Sequence, residues 1–310
     1  MYVHKRSQNL PPKICPQSSC RLAPRHLLTL SQSVRQLHSS METLSANRPV
    51  TFLYNLPAMS NTPSPGHSNE ASTPLVDIHR SPDVLTFTLN NPDHGNEITG
   101  PMFDAMLAEL RSESSNPRAR VLRIRARGKV FCIGRERAAR DLDSVRAEVS
   151  RLIELKRLVR TSSLISVAEV QGDAFAFGMG LAIVTDFPLV ADTASLCFPE
   201  MSHGLAPAAI MSYLGEYALP RFAFPLVLFG EPFSPRQALE IGLISQVVSA
   251  ANLSAEADAL IARILKLDPA AARRCKDFFL AAQSNTFEKN CALAVEALTA
   301  GTMAALARKK

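Results

Sequence analysis

Three short segments of this chain carry residue types that could do chemistry together. Phe131-Cys-Ile-Gly134-Arg135 follows the apolar run Val121 to Ile124, and Gly172-Asp-Ala-Phe-Ala-Phe177-Gly178-Met-Gly180 follows Leu164 to Val170. The third, Phe198-Pro-Glu200, follows Pro188 to Ala191 and leads into His203-Gly204-Leu-Ala-Pro207. A glycine-containing loop and a helix start can both turn free backbone N–H groups toward an anionic oxygen. Each has a second reading: Gly134 makes only a turn, and Gly172, Gly178 and Gly180 only let a helix approach a sheet. The charged run Arg135, Glu136, Arg137 and Arg140 also reads as a solvated face. Glu200 stands beside the apolar Leu196-Cys-Phe run. There it is expected to lose solvent, raising its pKa toward that of a useful base. Its other reading is a turn cap or an arginine partner, and His203 reads as structural, exposed or ligand-facing. Two amide donors and one carboxylate are what enolate chemistry on a thioester needs.

The elements that must hold these segments alternate. Val76 to Asn90, interrupted by Ser81-Pro-Asp, predicts a hairpin. Thr99 and Pro101 predict a helix start, followed at helical spacing by Phe103, Met106, Leu107 and Leu110. Val145, Val149, Leu152 and Val159 mark a long amphipathic helix. Ile165 to Val170 and Leu189 to Ala191 read as strands, and Phe177 to Val184 as a buried helix. Pro207 is expected in the first turn of a helix, and Ser234-Pro-Arg-Gln-Ala starts another that stops at Gly242. Helices follow over 252–266, 269–283 and 286–306. The class is α/β with a helical C-terminal part.

Charge and composition narrow the partners. The net charge is +6. Lys5, Arg6, Lys13, Arg21, Arg25 and Arg35 stand in an acid-free stretch, residues 1–41, and match that excess by themselves. The rest is neutral overall, so no basic surface for nucleic acid is indicated. The basic, Ser- and Leu-rich stretch reads as a mitochondrial-type presequence, with Val34 to Ser40 as a processing neighbourhood. The other readings are an unprocessed tail or translation from Met41. The localisation this implies is the mitochondrial matrix, with cytoplasm or peroxisome as alternatives. The ending Ala307-Arg-Lys-Lys310 is not a Ser-Lys-Leu peroxisomal address. Residues 42–74 are rich in Ser, Pro, Asn and Thr and read as a linker. An α/β core is expected over 75–250 and a helical region over 251–310. No apolar run reaches the roughly 18 residues of a membrane span, the longest candidate being Ala174 to Thr185. The six cysteines show no metal spacing: Cys15 and Cys20 sit in the basic tail, and Cys132, Cys197, Cys275 and Cys291, in apolar or helical runs, read as buried, reduced thiols.

In order and spacing, several segments together resemble the enoyl-CoA hydratase/isomerase (crotonase) superfamily over about 75–305. They are Thr86-Phe-Thr-Leu-Asn-Asn-Pro92, Phe131 to Arg135, Val170 to Ala182, Ala191 to Glu200, Gly204-Leu-Ala-Pro207 and Gly230 to Ile244. The resemblance implies a crotonase-like spiral of ββα units with a C-terminal trimerisation region, and so a homotrimer or hexamer. It implies an acyl-CoA substrate, coenzyme A being part of that substrate, with no separate cofactor and no metal. The family's oxyanion-hole amides fall by position on Arg135 and Phe177, its acid–base on Glu200, and substrate contacts on Ile133, Gly134, Gly178 and His203. Hydratases of the family hold water between two glutamates, and the first of these positions is Gly180 here. One carboxylate can carry a proton between C2 and C4, which favours double-bond isomerisation. Hydration, another enolate reaction and a catalytically silent acyl-CoA binder are the alternatives. Phe177, where the family often has glycine, is expected to narrow the pocket if its ring points inward. An RNA-binding role, known in one branch, would call for a Lys-rich helix, and the helix from Thr99 has Arg111 and no Lys.

Overall fold

The computed structural model describes residues 74–308. The expected presequence over 1–41, the linker up to residue 73, and Cys15 and Cys20 lie outside the described residues. A six-stranded sheet forms the frame, in the order β1 (Val76–Arg80), β2 (Val84–Leu89), β3 (Val121–Ala126), β4 (Ile165–Val170), β6 (Phe187–Ala191), β8 (Gln246–Val248). Only the β1–β2 hairpin is antiparallel; each later neighbour runs parallel. Two very short strands, β5 (Ala174–Phe175) and β7 (Leu196–Cys197), pair in a separate parallel ribbon.

The sheet is covered on both faces, as the period-two alternation of a strand allows. Leu122 and Ile124 of β3, Ala168 and Val170 of β4, and Val190 of β6 belong to the larger core. Val121, Val167, Leu189 and Ala191 point into a second cluster, closed by Leu253, Ala257, Ile261 and Ile264. Those four lie on one stripe of α7 (Leu253–Leu265). The division expected at 250/251 therefore places in the helical region a helix that packs on the sheet.

On the larger core, α1 (Gly100–Ser115) buries Phe103, Met106, Leu107 and Leu110 as its spacing predicts. Thr99 precedes it without a capping bond, and its hydroxyl is buried without a partner. The long helix α2 (Leu142–Thr161) starts at a capping box in which Asp141 accepts from the Asp143 and Ser144 amides at 3.1 and 3.0 Å. Helix α3 (Phe177–Ile183) is buried along its whole length. Pro207 sits at the N-cap of α4 (Ala208–Leu214), one position before its first turn. Then come α5 (Pro220–Phe229) and α6 (Pro235–Glu240), the latter with Ser234 and Gln237 in a reciprocal cap.

The chain ends in α8 (Pro269–Ala282) and α9 (Phe287–Ala307). Lys276 is the buried residue of α8, and α9 buries none. Among the described residues α9 is the one helix long and apolar enough, by length and composition, to cross a membrane. It is an exception to the expectation that no apolar run is long enough, since past its first turn Glu296 is its one charged residue. The cysteine expectation holds for Cys132 and Cys197, which are buried, and fails for Cys275 and Cys291, which these last helices leave exposed.

Candidate functional site

All three chemistry-bearing segments leave the carboxyl ends of parallel strands, where open α/β sheets form their binding crevices. β3 runs into Phe131–Arg135, β4 into the Gly172–Ala176 turn and α3, and β6 by way of β7 into Glu200. They converge on one cavity of about 590 Å³. Ile133, Gly134, Arg135, Phe177, Glu200 and His203 all stand on its wall.

The first two loops are tied to each other by backbone. Cys132 bridges Ala174, the Phe175 amide donates to the Cys132 carbonyl at 2.9 Å, and the Phe131 amide to the Asp173 carbonyl at 3.0 Å. The Ile133 amide donates to Gly95 and the Glu136 amide to Ile98. Between them the Arg135 N–H has no protein acceptor among the described residues. The Phe177 N–H opens α3 and so lacks an intrahelical acceptor.

Local backbone sets the direction of the second of these groups. Ala176 takes φ +47°, ψ −117°. That region is essentially glycine's own, at a cost of about 1–3 kcal/mol for a residue with a Cβ. The Ala176 amide donates to Cys197 at 3.0 Å, and its carbonyl accepts from Gly180 at 3.0 Å, so β7 and the helix hold it there. Its ψ fixes the 176–177 peptide and hence the direction of the Phe177 N–H. A Cβ on Gly134 would lie 3.9 Å from the Ala176 Cβ, so the two loops run side by side.

Gly178 departs from its expected role. It is not on the cavity wall, and a Cβ there would come within 2.1 Å of the Cys132 carbonyl oxygen. Its job is close approach of α3 to the first loop. The Phe177 ring does not project freely into the cavity either. It is 4% exposed and stands edge-on to Phe103, centroids 5.2 Å apart. It forms a floor and narrows the site only to that extent.

Glu200 occupies a short 3-10 turn, Pro199–His203. Phe198, fully buried, packs 5.7 Å from Phe233 and anchors the turn, while Gly204 at φ +71° ends it. One carboxylate oxygen, Oε2, is buried with no hydrogen-bond partner. Burial raises the Glu200 pKa above the usual carboxylate value, against weaker lowering by its own backbone amide, Lys156, Arg137 and His203. A carboxylate without a partner in a poorly solvated wall holds a proton at a higher pH than it would in water. His203 is exposed at the edge of the cavity.

Several wall residues were not predicted from the sequence, two charged ones among them. Glu97, half-buried, lies on the segment that bridges Arg135 through Ile98. Lys156 is the more consequential. Only 4% exposed, it donates from Nζ to the Tyr213 hydroxyl at 2.8 Å, and that hydroxyl donates to the Gly180 carbonyl at 3.0 Å. Its ammonium lies 4.9 Å from the Phe177 ring centroid and 5.2 Å from that of Tyr213. Burial brings the Lys156 pKa down to about 7, with the Glu200 charge opposing the fall. The same burial raises the Cys132 and Cys197 thiols to about 12 and about 11, so neither is a thiolate nucleophile at neutral pH. The signal for Lys156 was present. Val149, Leu152, Lys156 and Val159 fall at i, i+3, i+7 and i+10, which puts a lysine on the apolar stripe of α2.

Comparison with known proteins fits this geometry. The enoyl-CoA hydratase/isomerase family model matches residues 79–309, and the chain belongs to that family. It is 30% identical over 196 residues to the Xenopus laevis enoyl-CoA hydratase domain-containing protein 3, mitochondrial, covering 62% of this chain and 67% of the relative. The crystal structure of the human protein of that name superposes with TM-score 0.70 at 21% identity, over 76% of this chain and 99% of the other. At that identity the likeness establishes the fold, that of the crotonases. A Thermobifida fusca protein solved in complex with CoA matches with TM-score 0.69 and 27% identity, over 76% of this chain and 95% of its own.

Proposed function

We propose that this chain moves a carbon–carbon double bond in an enoyl-CoA, with Glu200 carrying the proton. The observation behind this reading is the buried, unpartnered Oε2 of Glu200 on a wall that Arg135 and Phe177 also line. The thioester carbonyl oxygen would accept from those two N–H groups. Glu200 would remove a proton from C2 of a 3-enoyl ester, and the charge would collect on the oxygen that the amides hold. Preorganised donors of this kind contribute about 3–4 kcal/mol of barrier lowering each. Return of a proton at C4 leaves the 2-enoyl ester. Ile133 and Gly134 would flank the acyl group, and His203 would meet it near the opening. The Thermobifida relative's complex with CoA supports a CoA ester as the ligand.

Hydration is the second reading, because the wall holds Glu97 and Lys156 as further groups able to orient water. Mass spectrometry of paired 2-enoyl- and 3-enoyl-CoA esters incubated with the protein in heavy-oxygen water separates the two. Interconversion without label is expected for isomerisation; a labelled product of higher mass shows hydration and displaces the proposal.

Assembly as a homotrimer or hexamer through the C-terminal helices is part of the same reading. Leu298 and Val295 of α9 are 71% and 62% exposed, more apolar surface than a lone helix keeps in water. The mitochondrial matrix is the proposed location, supported by the acid-free basic stretch over 1–41 and by the mitochondrial relative.

A further inference from the structure

Position 180 is where hydratases of this family carry their first glutamate, and here it is glycine. The space is not vacant. A Cβ built on Gly180 would meet the Lys156 Nζ at 2.3 Å, the Tyr213 hydroxyl at 2.7 Å and the Ile210 Cδ1 at 2.3 Å. Glycine at 180 and lysine at 156 therefore go together, since any side chain at 180 would displace the amine. We propose that Lys156 is the second proton-transfer group of the site, working with Glu200 from the place a side chain at 180 would fill. The proposal rests on the reading of the cavity as an enoyl-CoA site.

Four observations carry it. Lys156 lines the cavity together with Glu200. Its one hydrogen bond goes to Tyr213, whose own proton is committed to the Gly180 carbonyl, so the tyrosine holds the ammonium as an acceptor. A buried cation with a single neutral partner is costly unless another charge answers it. The charged and titratable groups that act on its proton affinity are Glu200 from the 3-10 turn, Cys132 and Arg135 from the first loop, and its partner is Tyr213 from α4; Glu97, Arg137 and His203 also line the cavity. Among the groups that act on it, only Glu200 supplies a negative charge near neutral pH, because burial raises both the thiol and the phenol. Burial moves Glu200 up and Lys156 down, so their proton affinities converge, the condition under which a pair can pass one proton in both directions.

The step balances without a further reactant. Glu200 as carboxylate takes the C2 proton of a 3-enoyl ester, breaking C2–H and leaving a dienolate. Lys156 as ammonium gives a proton to C4, forming C4–H as the double bond moves from C3–C4 to C2–C3. Glu200 is then protonated and Lys156 neutral; transfer of the proton from carboxyl to amine restores both.

The test uses the full chain, the probe 3-hexenoyl-CoA for conversion, and butyryl-CoA for binding. In the wild type, conversion should rise as Glu200 ionises and fall as pH climbs past about 7, where Lys156 loses its proton. Lys156→Met should slow conversion about 100-fold, abolish the alkaline limb and leave butyryl-CoA binding within about 3-fold. Tyr213→Phe keeps the amine but removes the acceptor that favours its charged form, so the alkaline limb should move to lower pH. Wild-type rate and an unchanged alkaline limb in Lys156→Met would overturn the proposal. Carbon NMR titration of the Glu200 carboxyl, in protein without ligand, separates this claim from the reading beneath it. Loss of the nearby cation should raise the Glu200 pKa in Lys156→Met. A titration that stays in place overturns the pair whatever the protein converts. One that rises, in a protein that converts no enoyl ester, keeps the pair and sinks the isomerase reading.

Discussion

The cavity wall and the last two helices break the usual burial rule in opposite directions. In the wall, polar groups are buried among apolar ones: Lys156 at 4% exposure and Glu200 with an unpartnered oxygen. In α9, apolar groups stand in water, Leu298 and Val295 at more than half exposure. A chain that only needed to fold would do neither. Departures from otherwise consistent patterning mark where a protein works. In the wall the departure alters proton affinities, which is useful to chemistry. In α9 it leaves apolar surface uncovered, which the proposed assembly would use.

This contrast is open to direct disturbance. The largest expected effect comes from Gly178→Ala, which drives a methyl group against the Cys132 carbonyl. Overpacking against backbone should lower the unfolding free energy by about 3 kcal/mol and misplace the Phe177 N–H. Denaturant titration measures the first and enoyl-CoA turnover the second; a fully active, equally stable variant would show that the two loops do not depend on close approach. On the other side, Val295→Asp with Leu298→Asp should shift sedimentation toward a single chain while the isolated fold stays intact by circular dichroism. An unchanged sedimentation coefficient would place the assembly surface elsewhere. At the start of the helix that carries Lys156, Asp141→Ala removes the cap of α2 and should cost about 1 kcal/mol, read as a small fall in the thermal midpoint.

The subtlest prediction is a pH dependence. The folded-state pKa of Glu200 is raised, so ionising it opposes folding. That penalty is absent below the ordinary carboxylate range and develops as pH rises through the folded value. Glu200→Gln should therefore match the wild type near pH 4 and exceed it in stability at pH 8. Equal stability differences at both pH values would mean that Glu200 is not desolvated.

Much of this was legible in the sequence where a short stretch carries its own reasons. Phe103, Met106, Leu107 and Leu110 declare their helix face by spacing alone. Ser234 and Gln237 declare a capped start, and Glu200 stands out because Pro199 and Phe198 place it next to a core run. What escaped depends on distant residues. The ribbon of β5 and β7 has two residues in each strand, too few for periodicity to register. The strain at Ala176 is held by a bond to the Cys197 carbonyl and one from the Gly180 amide, invisible without the fold. Lys156 reads as an ordinary helix lysine until α2, Tyr213 and Gly180 are brought together. Sequence logic sent the search for a second group to His203, which the fold leaves exposed.

The account's central claim is that Glu200 moves the proton. Its most direct test is turnover of 3-hexenoyl-CoA by Glu200→Gln, set beside the affinity of the same variant for butyryl-CoA. The geometry predicts a loss of about 100- to 10,000-fold in kcat, with affinity kept within a few-fold, since the two backbone donors remain. Turnover equal to that of the wild type would contradict it.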